Sequence, residues 1–293
     1  MSGKFFDRGC NPVFFGEGIM TERRRRKEWN GIERPDGALI RWAAGEGERP
    51  LLLVPGFGGD GNCWGTAFPR QLFAREIAPV VYDPRGLGGS TMGSSQPSIA
   101  LFAEDAAAVA EAAGAPLAVL GWSMGASVAA EFALARPELV SGVVLCCGSA
   151  DHRRIAGERP ALFRPILDRS APLGEPAAAL TEALLPASGK WSPTFRRAFR
   201  ETLEASFAAH AEGIREQQTA LAECPSLEGR LASFAMPVLV VEGSEDRLIP
   251  PGEGEILAGG IPGALLRILS GGHGLVYEAP GELAGAVAEF LGR

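Results

Sequence analysis

The stretch "PLAVLGWSMGASVAAEFALA", residues 116–135, joins a short apolar run, a serine between two glycines and a series of small residues. Residues 116–120 predict a buried β-strand because the run is short and apolar throughout. Residues 124–135 predict a helix of small residues, which can lie close to a sheet. The stretch therefore predicts a tight strand–turn–helix unit with Ser123 in the turn.

The pattern Gly121-x-Ser123-x-Gly125 has two interpretations, because 39 of the 293 residues are glycine and the pattern can arise by chance. One is a tight turn with an incidental serine. The other is a nucleophile elbow, a strained turn that presents a serine hydroxyl and needs glycines for close packing. The strand before Ser123 and the helix after it favour the elbow.

A similar alternation of strands and helices runs through most of the chain. Alternating patterns of this kind predict an α/β fold with a mostly parallel sheet flanked by helices. The predicted strands are 38–44, 51–56, 79–83, 116–120, 141–147, 236–243 and 264–269, and the predicted helices are 67–77, 98–114, 124–135, 252–259 and 281–292.

The alternation stops between residues 151 and 232, where helical patterns replace strands. These patterns cover residues 160–170, 175–185 and 192–223. We therefore predict three parts of the chain: an N-terminal extension, an α/β core in two pieces and a helical insertion. Their bounds are 1–29 for the extension, 30–150 with 233–293 for the core, and 151–232 for the insertion.

The composition argues against several classes of function. The formal net charge of -7 disfavours nucleic-acid binding, which needs a basic face. No apolar run is long enough to span a bilayer, so we expect no membrane partner. The five cysteines are scattered and fit neither a disulfide framework nor a zinc site. We therefore expect a cytoplasmic protein with reduced thiols and with no metal and no cofactor.

A serine hydroxyl becomes an effective nucleophile only when a base removes its proton, so a histidine is needed. The chain has three. His273 lies in the glycine-rich segment "SGGHG" after the last predicted strand, and open α/β sheets place their chemistry at the carboxyl ends of strands. His273 is therefore the candidate base. His152 and His210 are interpreted as surface histidines or as histidines with satisfied hydrogen bonds.

An acidic residue must orient the base, and "VLVVEGSEDRLIPP", residues 238–251, contains three candidates. Glu242 lies too close to the strand end to reach across easily. Glu245 is the second choice. Asp246 is preferred, because the residues that follow it begin a defined turn that would hold its carboxylate.

Acyl transfer also needs hydrogen-bond donors for an oxyanion. The backbone N–H of Met124, directly after the serine, is one candidate. The loop "VPGFGGD", residues 54–60, supplies the other through the Phe57 N–H, although a plain glycine turn is the alternative interpretation.

Three residues are candidates for substrate binding. Gly56 belongs to the loop that lets the backbone approach a substrate closely. Trp122 precedes Ser123, and its indole belongs either to the pocket wall or to the core. Cys147 follows a strand end near the predicted site, and its alternative interpretation is a small buried hydrophobic residue.

These motifs together resemble the α/β-hydrolase superfamily over roughly residues 30–293. The order of Ser123, Asp246 and His273 matches the family's catalytic triad. Many members have His-Gly where this chain has Pro55-Gly56. The motifs that carry the resemblance are "PGFGGD" followed by Trp64, "YDPRGLGGS" (82–90), "GWSMG" (121–125), "GSEDRLIP" (243–250) and "GGHGLVYEAP" (271–280).

The resemblance implies that the helical insertion caps the pocket, and that the nearest members are small bacterial esterases, enol-lactonases and cofactor-free haloperoxidases. We therefore expect a serine hydrolase that cleaves a small-molecule carboxylic ester or lactone. One alternative keeps the triad for acyl transfer, perhydrolysis or carbon–carbon bond hydrolysis. Another is a ligand receptor or scaffold whose triad is slow.

Overall fold

The computed structural model describes residues 28–186 and 189–292, so nearly all of the predicted extension, residues 1–29, lies outside the described residues. Strands and helices alternate on both sides of a block of helices. The strands are β1 (Asn30–Glu33), β2 (Leu39–Ala44), β3 (Arg49–Val54), β4 (Ile77–Tyr82), β5 (Leu117–Trp122), β6 (Val140–Cys146), β7 (Val238–Gly243) and β8 (Leu265–Leu269). The helices are α1 (Ala67–Phe73), α2 (Ile99–Ala112), α3 (Met124–Ala135), α4 (His152–Glu158), α5 (Pro160–Leu167), α6 (Gly174–Leu184), α7 (Pro193–Ala209), α8 (Ala211–Ala222), α9 (Glu253–Gly260), α10 (Leu275–Glu278) and α11 (Pro280–Leu291).

The eight strands form one sheet in the order β1-β2-β4-β3-β5-β6-β7-β8. From β4 to β8 all neighbours are parallel, whereas β2 pairs antiparallel with both β1 and β4. Strands β4, β5 and β7 are buried along their whole length, because two apolar layers cover the two faces of the sheet. The predicted α/β fold, with a mostly parallel sheet flanked by helices, is confirmed.

Each predicted strand and helix of the sheet region is present. The helix at 124–135 has its predicted ends, and the other elements are shifted at one or both ends. The predicted helix 67–77 ends at Phe73, because Ile77 already pairs with Arg49 in the parallel ladder of β4 and β3. Ser98 caps α2 as its sequence suggests, accepting a hydrogen bond from the Leu101 N–H at 3.0 Å. Strand β1 and helices α4 and α10 were not predicted.

Helices α4 to α8 lie between β6 and β7, in the segment where the sequence predicts helices and no strands. The helical stretch predicted at 192–223 is two helices, because the backbone leaves helical geometry at His210 (φ -119°, ψ 36°). The division into core and cap stays a prediction. Within the described ranges, no helix combines the length and the apolar character needed to cross a bilayer.

The parallel strands bring the candidate site residues to one edge of the sheet. Ser123 follows β5, Asp246 follows β7, and His273 follows β8. The loop that contains Phe57 follows β3, which lies next to β5. Because parallel strands point their carboxyl ends in the same direction, residues far apart in sequence meet there.

Candidate active site

Ser123 lies in a strained turn between β5 and α3. Its backbone has φ 58° and ψ -123°, a region that residues other than glycine rarely adopt. A Cβ atom at Gly121 would lie 2.0 Å from the Gly125 carbonyl oxygen, and one at Gly125 would lie 2.2 Å from the Val54 oxygen. Both glycines are therefore required by close backbone contacts.

The structure brings Ser123, His273 and Asp246 together in one line of hydrogen bonds. His273 Nε2 lies 2.8 Å from Ser123 Oγ, and His273 Nδ1 lies 2.7 Å from Asp246 Oδ2. The second carboxylate oxygen, Asp246 Oδ1, accepts the N–H groups of Leu248 and Ile249 at 2.9 Å each. The turn after Asp246 thus fixes the carboxylate that faces the imidazole.

The two other acidic candidates do not reach His273. Glu245 is exposed to solvent. The buried Glu242 carboxylate accepts the backbone N–H groups of Gly252 and Gly254, the latter at 2.6 Å, at the start of α9. Glu242 therefore holds the start of a helix, as carboxylates at helix N-termini commonly do.

The loop that carries His273 is held by two side chains. Trp122 Nε1 donates to the His273 carbonyl oxygen at 2.9 Å, and Glu278 Oε1 accepts the Gly272 N–H at 3.2 Å. The Trp122 ring packs against Trp64 and Tyr277, with centroids 5.9 and 5.8 Å apart. The indole of Trp122 therefore lies in the core, and its hydrogen bond to the His273 backbone helps to fix the position of the histidine.

Gly56 and Cys147 lie beside the three residues and are absent from the cavity wall described below. A Cβ atom at Gly56 would be 3.2 Å from Ser123 Cβ. The Cys147 sulfur lies within 4.8 Å of ligand atoms of Asp246 and His273. Metal ligation needs a thiolate, but the adjacent Cys146 and burial raise the pKa of the Cys147 thiol. This donor set therefore does not favour a metal ion.

A narrow cavity of about 20 Å³ lies against Ser123. Of the described residues on its wall, Ser123 and His152 alone have polar side chains, and the others are apolar. Its lining residues are Phe57, Ser123, Met124, His152, Phe163, Ile166, Leu180, Leu221, Leu248 and Ile249. The lining is of the kind found in small-molecule sites, in a space with room for about one water-sized group.

The two predicted oxyanion donors lie on this wall as well. Met124 is the first residue of α3, so its N–H has no acceptor within the helix. In the loop after β3, the neighbouring Gly58 N–H donates to Gln217 Oε1 at 2.7 Å, and the Gly61 N–H donates to Asp83 Oδ1 at 2.9 Å. Two side chains therefore hold the loop around Phe57, one on helix α8 and one directly after strand β4.

Gln217 was not predicted as a site residue. It lies on α8 of the insertion and is 1% exposed. A single glutamine in a helix has no motif around it, so only the folded contact with Gly58 shows its role. Helix α8 therefore helps to hold the loop after β3 through this hydrogen bond.

Comparison with known proteins agrees with this fold. The model of the alpha/beta hydrolase family matches residues 51–286. The chain belongs to this family. With esterase relatives, it is an enzyme of the hydrolase type.

Three relatives illustrate the range of the similarity. The hydrolase is 29% identical to the rhodomycin D methylesterase DauP of Streptomyces sp. over 282 residues, covering 84% of this chain and 93% of that protein. A thermophilic esterase from Thermogutta terrifontis has 25% identity and a TM-score of 0.76, covering 90% and 98% of the two chains. The enol-lactonase from Burkholderia xenovorans LB400, at 20% identity, shares the fold with a TM-score of 0.74, covering 87% and 97%.

The remaining two histidines of the hydrolase differ from each other. His210 is satisfied as predicted, because its ring nitrogens lie 2.9 Å from the Ser206 oxygen and 3.2 Å from the Gly88 oxygen. His152 is 4% exposed, and neither ring nitrogen has a hydrogen-bond partner among the described residues. The interpretation of His152 as a surface or satisfied histidine is therefore wrong.

The buried His152 makes the stability of the hydrolase depend on pH. Burial and the nearby His273 lower the pKa of His152 to about 4 from 6.5, against a smaller opposing effect of Asp151. The unfolded chain therefore binds the proton first as the pH falls. We expect the free energy of unfolding to decrease between pH 6.5 and pH 4, with about 3 kcal/mol from this residue. Urea unfolding across that range measures the slope.

The matched variants for this measurement are His152→Phe and His210→Gln. The first removes the titrating group, so its stability should depend less steeply on pH between 4 and 6.5. The second should keep the slope of the wild type. An unchanged slope in His152→Phe would show that His152 does not titrate differently in the folded and unfolded states.

Proposed function

We propose that the hydrolase cleaves a carboxylic ester or lactone through an acyl-enzyme on Ser123. The observation that carries the proposal is the continuous line of hydrogen bonds from Ser123 through His273 to Asp246. Relatives named as a methylesterase and an esterase support an ester substrate, and others named as putative carbamate hydrolases support the same general class of acyl substrate. The strained backbone at Ser123 supports the same role, since strain of this kind occurs at functional sites.

The first half of the reaction forms the acyl-enzyme. His273 Nε2 takes the proton of Ser123 as Oγ attacks the substrate carbonyl carbon. The Nδ1–H donates to Asp246, which holds the required tautomer and stabilises the imidazolium. The negative charge that develops on the carbonyl oxygen is bound by the N–H groups of Phe57 and Met124. The imidazolium then protonates the leaving alkoxide, and the ester C–O bond breaks.

The second half releases the acid. Water donates a proton to His273 Nε2 and attacks the acyl carbon, with the same two N–H groups binding the oxyanion. The bond between Ser123 Oγ and the acyl carbon breaks, and Oγ recovers its proton from His273. The enzyme returns to its starting state, so these steps require neither a cofactor nor a metal.

Helices α4 to α8 act in this proposal as a cap over the cavity. Phe163 and Ile166 of α5, Leu180 of α6 and Leu221 of α8 all reach the cavity wall. Such a wall offers no partner for a charge, and burying an unpaired charge is costly. The proposed substrate is therefore a small, neutral acyl ester or lactone.

A cytoplasmic location is part of the same proposal. The four cysteines in the described part of the chain are free thiols. Thiols of this kind are stable in a reducing compartment.

A fluorophosphonate probe tests the nucleophile directly. We expect the probe to label the wild type on Ser123 and to leave Ser123→Ala unlabelled, because the alanine lacks the attacking oxygen. Mass spectrometry of the labelled peptide identifies the modified residue. The control is Ser141→Ala, a change at an exposed position of β6, which should be labelled like the wild type.

Two outcomes would contradict the proposal. Equal labelling of Ser123→Ala would place the reactive group elsewhere. Labelling of the wild type without hydrolysis of any short p-nitrophenyl ester or lactone would show that the serine serves another acyl-transfer or bond-cleaving reaction.

A further inference from the structure

Among the described residues, His152 is the one polar side chain besides Ser123 on the wall of the cavity against Ser123. His152 is the first residue of α4. Asp151 caps that helix by accepting the Arg154 N–H at 2.9 Å, and this hydrogen bond holds the backbone at His152 in place. Almost all buried polar groups in proteins have hydrogen-bond partners, and an exception needs an explanation. Both ring nitrogens of His152 are such exceptions.

The surroundings of His152 determine what kind of group it can bind. Burial and the nearby His273 lower its pKa to about 4, so the imidazole is neutral near pH 7. A neutral imidazole offers one N–H donor and one nitrogen acceptor. Among the described residues, the wall beside Ser123 gives no counter-charge for an ionised ligand, and Arg153, which follows His152 in the chain, is exposed to solvent. The matching partner is therefore a neutral oxygen that accepts or donates a hydrogen bond.

The position of the cavity indicates which half of a substrate meets His152. The alcohol leaves after the first step, whereas the acyl group stays bonded to Ser123 until water attacks. The narrow cavity against Ser123 holds only a few atoms, so we assign it to the part of the acyl group next to the carbonyl. His152, Phe163 and Leu221 also line a neighbouring cavity of about 260 Å³, so the three residues separate the two spaces. The wall of this second cavity includes the exposed Arg153. A longer acyl chain would pass His152 on its way outward.

We propose that His152 is a specificity-determining residue that selects esters or lactones whose acyl chain carries a neutral keto or hydroxyl oxygen. The proposal rests on the acyl-enzyme function proposed above. The acyl chain displaces no hydrogen bond of His152, because the imidazole has none among the described residues. A plain alkyl chain leaves the imidazole unpaired in an apolar space, whereas an oxo-acyl chain satisfies it.

The test compares p-nitrophenyl esters that differ by one oxygen. The pairs are 4-oxopentanoate with pentanoate, 5-oxohexanoate with hexanoate, and 6-oxoheptanoate with heptanoate. A series is needed because the oxygen must stand at the right distance from the acyl carbon. For at least one pair we expect the wild type to favour the oxo ester by about 10- to 100-fold in kcat/KM, the range that one satisfied buried polar group provides.

Three variants show whether His152 causes the preference. His152→Phe should lose it and still hydrolyse the alkyl esters, because it leaves Ser123, Asp246 and His273 in place. His152→Gln retains a donor and an acceptor and should keep part of the preference. His210→Gln changes the histidine that already has its hydrogen bonds, and it should behave like the wild type.

The outcomes separate this inference from the proposed function. Equal oxo and alkyl rates in the wild type for every pair would overturn it, and this result needs no variant. The same preference in His152→Phe and in the wild type would also overturn it. A wild type that hydrolyses none of the esters and takes up no fluorophosphonate would overturn the proposed function itself.

Discussion

His273→Ala should lower kcat for ester hydrolysis by about 10⁴- to 10⁶-fold, the range found when a triad histidine is removed. His273 lies within hydrogen-bond distance of both Ser123 and Asp246, so its loss deprives the serine of its base and the carboxylate of its partner. Burst-phase and steady-state kinetics with a p-nitrophenyl ester measure the effect. Both acylation and deacylation should slow, because each needs the same imidazole.

A double variant makes this test specific. Residues that act as one catalytic unit are strongly non-additive, so Ser123→Ala with His273→Ala should be no slower than either change alone. His210→Ala is the matched control and should stay within about twofold of the wild type, a bound smaller than any catalytic effect discussed here. The assignment of the base would be wrong if His273→Ala kept a tenth or more of the wild-type kcat.

Gly121→Ala should lower the free energy of unfolding by at least about 4 kcal/mol, or prevent folding altogether. The new Cβ atom would lie 2.0 Å from the Gly125 oxygen, 2.5 Å from the Gly125 carbonyl carbon and 2.7 Å from the Ala126 Cα. All three are backbone atoms of the turn and of α3, so no side chain can rotate away. Circular dichroism with urea unfolding measures the loss.

The control for this substitution is Gly285→Ala, in the middle of α11. A Cβ atom there meets no neighbour within 4 Å, so the change should stabilise the helix by about 0.5 to 1 kcal/mol. A Gly121→Ala protein that unfolds within 1 kcal/mol of the wild type, the size of an ordinary substitution, would show that the contact between β5 and α3 relaxes easily.

The sheet and the serine turn were predictable because their signals are local. Strands buried on both faces must be apolar throughout, and the turn at Ser123 needs glycine on both sides. Asp246 was predictable for a similar reason, since the turn after it supplies the N–H groups that hold its carboxylate. Strand β1 had no such signal, because it is mostly exposed and is defined by its pairing with β2.

His152 and Gln217 could not be predicted, because their roles depend on long-range contacts. Nothing in the local sequence shows that His152 is buried without partners or that it faces the space beside Ser123. Gln217 meets Gly58 across 159 positions of the chain. His152 and Gln217 lie on helices between β6 and β7, and which residues these helices bury is decided by how they pack against one another and against the sheet.

The hydrogen bond from Gly58 to Gln217 limits how the insertion can be exchanged between relatives. A chimera that receives another cap also loses the acceptor for an N–H next to Phe57. A donated cap must therefore supply an oxygen in the same place, or the loop after β3 loses that anchor. The helices between β6 and β7 and the loop after β3 are therefore not independent modules, and transplanting substrate preference means transplanting that oxygen as well.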